Sequence, residues 1–203
     1  YRDNAPFLAG HTAQLLATLA PDDRFENHPE VRKYNLADRS LDELKGTLHI
    51  AASPETSWSV HGSWRLEDFN DTSLGLTERQ LLRGAVDLNH TVSETLMLRG
   101  YYSYEQFDDE LTNHEFRPFP PLNSLVNPEQ RWTRDGTDRV HSLGAGFAWV
   151  AIPNKLDVEF DYSFSLANTE YSFEAGNMLG DPTATPDLSS DRHTIQVTAD
   201  WKL

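Results

Sequence analysis

The sequence predicts an all-β chain: an antiparallel transmembrane β-barrel, met here as a meander of about seven strands that forms part of a larger barrel. Three observations carry this. Runs of about ten residues alternate apolar with polar or small side chains, the period-two signature of a strand with two unlike faces. The connections alternate short and long, and an antiparallel meander sorts these to opposite ends, as short periplasmic turns and long extracellular loops. Aromatic residues also gather at both ends of the apolar stripe, where two membrane interfaces would hold them. A soluble sandwich or lipocalin-like barrel, with the same rings filling its core, stays open as the alternative.

Composition narrows the classes. The chain has 203 residues, a net charge of −15 and no cysteine. Disulfides, thiolate metal sites and Cys-x-x-Cys-His haem attachment within this chain are thereby excluded. So strong an acidic excess argues against nucleic acid, whose phosphates need Lys and Arg. Mean hydropathy is −0.59, and no apolar run approaches the ~18 residues of a membrane helix. Neither fact excludes a barrel, whose strands are only half apolar. Tyr1-Arg2-Asp3-Asn4 is no signal peptide, so an exported protein is expected here in mature or truncated form.

Residues 1–41 read as an extracellular loop region, with Thr12–Leu19 as one or two helical turns. Residues 42–203 then form the C-terminal portion of one barrel domain. Glu43–Ala52 and Trp58–Glu67 are the first two strands, around the turn Ser53–Ser57. Their pattern returns 38 residues later: Leu44-Lys45-Gly46 as Leu82-Arg83-Gly84, and Val60-His61-Gly62 as Leu98-Arg99-Gly100. Pairing Ala52 with Trp58 sets Gly46 against Trp64 and Ile50 against Val60. The same register in the second copy sets Gly84 against Tyr102 and Val86 against Gly100, so that a ring covers the bare backbone at Gly46 and at Gly84.

Asp68–Glu78 is the longer link between the hairpins, and Thr91–Thr95 closes the second one. A long loop over Gln106–Thr137 contains Pro118, Pro120, Pro121 and Pro128. Val140–Val150, the tight turn Ala151–Lys155 and Leu156–Ser165 form the next hairpin, and a loop over Leu166–Asp191 precedes the last strand, His193–Leu203. Seven is an odd count and would leave two edges bare in lipid, hence the larger barrel, with a further strand within residues 1–41 and a small eight-stranded barrel as the alternative. Trp58, Trp149 and Trp201 fall at the short-turn end, while Tyr102, Tyr104, Tyr162 and Phe164 fall toward the long loops.

The polar face would line the lumen and meet any partner there. His49 is expected opposite His61, a pair that could hold a metal or sense pH, although a packed polar wall is the plainer reading. Asp87 and Arg99 occupy the equivalent places in the second copy, as a cross-strand ion pair, and Arg65 lies beside Glu67. The fifth strand turns Ser142, Gly144, Gly146 and Ala148 inward, through either close approach of a bulky occupant or curvature of the wall. Beside it Asp157, Glu159 and Asp161 make an acidic strip that would favour cations or a basic surface. No catalytic constellation is legible, and no enzyme is expected.

Arg32-Lys33-Tyr34-Asn35-Leu36-Ala37-Asp38-Arg39, Leu74-Gly75-Leu76 and Tyr101-Tyr102-Ser103-Tyr104-Glu105 resemble the MtrB/PioB family of outer-membrane barrels associated with decahaem cytochromes. The resemblance implies a barrel in the outer membrane of a Gram-negative bacterium, housing a periplasmic multihaem c-type cytochrome in its lumen. Electrons would cross the membrane along the partner's haems, with an extracellular multihaem cytochrome as a further partner at the loops. The barrel itself would hold no cofactor. A diffusive porin with an open polar lumen is the competing expectation.

Overall fold

A computed structural model describes residues 37–70, 72, 74–114, 128–176 and 186–202. Seven strands follow in chain order: β1 Ser40–Ala51, β2 Thr56–Asp68, β3 Gly75–Ser93, β4 Leu96–His114, β5 Arg131–Ile152, β6 Leu156–Ala175 and β7 Leu188–Trp201. They form one antiparallel sheet in that order, open at β1 and β7 among the described residues. The expected helical turns at Thr12–Leu19, and all of residues 1–36, lie outside the described residues.

Turn chemistry is local and explicit. Ser53 Oγ accepts from the backbone N–H of Glu55 (3.2 Å) and Thr56 (3.1 Å), closing the β1–β2 turn. Asn154 takes φ 59° between β5 and β6, the left-handed region that asparagine tolerates best after glycine. Bulges displace the register near Thr77, Val92 and Ala151.

Two expectations need correction. The register of β1–β2 runs Ala51↔Ser57, Ile50↔Trp58 and Gly46↔Gly62, two residues from the one inferred. In β3–β4 the shift is opposite, with Gly84↔Tyr104 and Val86↔Tyr102. The 38-residue repeat therefore keeps its spacing but not its pairs. Turn length decides this: four residues separate β1 from β2, whereas only Glu94 and Thr95 separate β3 from β4. Gly46, Gly62 and Gly84 instead line up across three strands.

The strands β3–β6 are also far longer than expected, reaching into the stretches read as loops. Near the short turns, Val86, Tyr102, Phe147, Phe160 and Val197 share one face, here called outer, and it is bare: Ile195 is 67% and Val197 65% exposed. The inner face there is polar. Toward the long connections the alternation changes phase. Leu81, Phe107, Val140, Tyr171 and Phe173 turn inward, while Glu78, Asp108, Glu110, Asp135, Glu170 and Ser172 turn outward.

This upper inner face holds the buried hydrophobics among the described residues: Phe69 (2% exposed), Leu74 (1%) and Leu76 (8%). Phe69 N–H donates to Thr77 O (2.9 Å), tying the β2–β3 connection down. Trp132 packs on Phe173 with centroids 6.4 Å apart, and the guanidiniums of Arg79 and Arg134 lie over Phe107 and Tyr171.

Candidate functional site

The inner face below this cluster is built by period two alone, so every second residue of each strand contributes to it. All ten residues expected in the lumen share it. One cross-strand row reads His49–Ser59–Asp87–Tyr101–Gly144–Ser163–Thr194, and its neighbour carries Asn89–Arg99–Gly146–Asp161–Gln196.

Their pairings differ from those expected. His49 faces Ser59, with Nδ1 and Oγ 2.8 Å apart, and His61 faces Thr47, at 3.2 Å. The two imidazoles still meet edge to face at 6.0 Å, because they lie diagonally on one surface. His61 Nε2 sits 3.3 Å from Asp87 Oδ2. Asp87 and Arg99 are thus not a pair: Asp87 lies opposite Tyr101, and Arg99 opposite Asn89.

Arg99 crosses β5 instead. Its Nε donates to Asp161 Oδ1 (2.7 Å) and its terminal nitrogen to Glu159 Oε2 (3.2 Å), both on β6. Gly146 lies in the same row between them, and a Cβ there would collide with the Asp161 carboxylate and the Phe160 carbonyl. At Gly144 a Cβ would enter the Tyr101 ring. The small residues of β5 are therefore occupied, and the occupants are side chains of β4 and β6. Sequence reasoning did not find this, because the partners are 62 residues apart and meet only across an intervening strand.

The acidic strip is likewise engaged from within. Arg99 takes Glu159 and Asp161, and Lys202, just past β7, pairs with Asp157. A recess of about 320 Å³ remains beside Arg99, lined also by Tyr101, Asn89, Thr194 and Gln196. Higher up, Arg65 pairs with Glu67 as expected. Glu67 is only 3% exposed, and Arg39 reaches it from ahead of β1 at 3.4 Å. Burying a carboxylate is costly unless it is paired, so Arg39 is a site residue that the sequence reading placed only within a family-like stretch. Among the described residues no three His, Asp or Glu side chains converge in a way that could hold a metal ion.

Comparison with known proteins adds two findings. A family model described as an outer membrane beta-barrel porin, MtrB/PioB, matches residues 9–203. The outer membrane protein MtrB of Shewanella baltica is 25% identical over 180 residues, covering 87% of this chain and 24% of that protein. The chain spans about a quarter of the length of this curated relative.

Proposed function

Since the chain belongs to the MtrB/PioB family of outer-membrane β-barrel porins, we propose that its inner face is one side of a sleeve around a multihaem c-type cytochrome. The barrel then excludes lipid and holds the haem chain in place, and the haems carry electrons across the outer membrane. In this reading the haem is the partner's, since this chain has no cysteine to tether a c-type haem, and the chain's own part is that of a wall.

One observation supports a sleeve over a selective pore: the charges of the inner face largely answer one another. Arg99 engages Glu159 and Asp161, and Lys202 engages Asp157. Charge-selective pores present rings of unpaired charge to the passing ion. A wall of closed pairs offers fixed dipoles, against which another folded surface can rest. The recess beside Arg99 favours the alternative, a diffusive porin with an open lumen.

Native isolation from the membrane separates the two. The sleeve predicts a heat-modifiable barrel that brings down a haem-staining protein with a Soret band. A purified barrel that conducts ions freely and carries no haem protein would overturn it.

A further inference from the structure

Two lines can be drawn across the outer face. The lower one joins Trp58 on β2, Trp149 on β5 and Trp201 on β7. From Trp58, the cross-strand row runs through Leu88 and Gly100 to Ala145, four residues along β5 from Trp149. From Trp149 it runs through Val158 to Ala199, two residues short of Trp201.

The upper line joins Leu66, His141 and His193, and it steps identically. The row of Leu66 passes Gln80 and Asp108 to Thr137, four residues from His141. The row of His141 passes Leu166 to Asp191, two residues from His193. On each of the three strands the lines stand eight residues apart.

The two histidines are held alike. His141 packs at a tilt on Tyr104 at 4.9 Å and its Nδ1 lies 2.8 Å from the Tyr102 hydroxyl; His193 packs at a tilt on Phe164 at 4.8 Å and its Nδ1 lies 2.8 Å from the Tyr162 hydroxyl. Rings with one wet edge belong at a head-group layer. At β3–β6 the upper line also runs close to the level where the apolar residues change face.

Geometry supplies an independent check. A drift of six residues over five strand spacings is about 20 Å along the strands against about 24 Å across them, a tilt of about 40°. Membrane barrels tilt their strands by roughly 35–45°. Eight residues along such a strand rise about 20 Å, close to the ~25 Å of a barrel's apolar band.

We propose that the lipid-contact surface is this oblique band, and that the upper parts of β3–β6 leave the membrane as a wall wetted outside, with its rings turned within. The inference rests on membership of the barrel family and is independent of any cytochrome.

Single-cysteine variants of the full-length protein, labelled with a fluorophore in phosphatidylcholine vesicles carrying a deep acyl-chain quencher, test it. Thr56 and Val197 lie on one cross-strand row, through His90, Leu98, Phe147 and Phe160. The oblique band requires loss of emission at Val197→Cys, with Thr56→Cys unquenched and open to a water-borne maleimide. It also requires Ser172→Cys, on the outer face of β6, to react from water. Equal depth for Thr56→Cys and Val197→Cys, or quenching at Ser172→Cys, would overturn it. Phe160→Cys replaces Val197→Cys if that variant loses heat-modifiable mobility.

Discussion

The lower and upper halves of β3–β6 are the same strands built inside out. Below, Phe147 and Phe160 face outward and Arg99 and Asp161 inward; above, Glu170 and Ser172 face outward and Phe107, Tyr171 and Phe173 inward. No bulge lies where the alternation inverts, between the one near Thr77 and those near Val92 and Ala151, so the surroundings select the phase. Hydrocarbon accepts apolar side chains on the outside, and water returns them to the interior.

Breaking each half at its apolar side is the sharpest way to test this contrast. Leu74→Ala removes a fully buried side chain from the upper cluster and is expected to cost about 2–5 kcal/mol, read as earlier urea unfolding and faster proteolysis of the β2–β3 connection. Val197→Arg, at the middle of the lower band, should cost about 2–4 kcal/mol in vesicle-based unfolding. Removing the Arg99 bridge by Arg99→Gln leaves Glu159 and Asp161 side by side. Both are well exposed, so the loss should be only about 1 kcal/mol and should diminish in high salt. The smallest effect is expected at Ser172→Arg: the charge that is costly at Val197 should change stability by less than about 0.5 kcal/mol there. Similar losses at Val197 and Ser172 would abolish the distinction between the halves.

What could be read from the sequence follows the same division. The lower strands were legible because Leu156-Asp157-Val158-Glu159-Phe160 keeps one phase against one environment, and period two is then unmistakable. Across Tyr104-Glu105-Gln106-Phe107-Asp108 the phase inverts, which reads locally as a polar loop and ends the strand early when the pattern is taken alone. The inner-face residues were legible as a set for the same reason. Their partners were not, because a two-residue register shift preserves every side chain's face while exchanging every opposite neighbour. Arg99 meeting Asp161 required knowing that β5 lies between them and that Gly146 leaves the way clear.

That bridge has a mechanical side. It fastens β4 to β6 over the back of β5, spanning two strand spacings, about 10 Å, and it does so on one side of the sheet alone. Such a tie behaves as a bowstring does: it draws the near side short, and the far side must arch. The salt link across Gly146 thus favours a rounded wall with the greasy surface on the convex side, whatever charge it also contributes within.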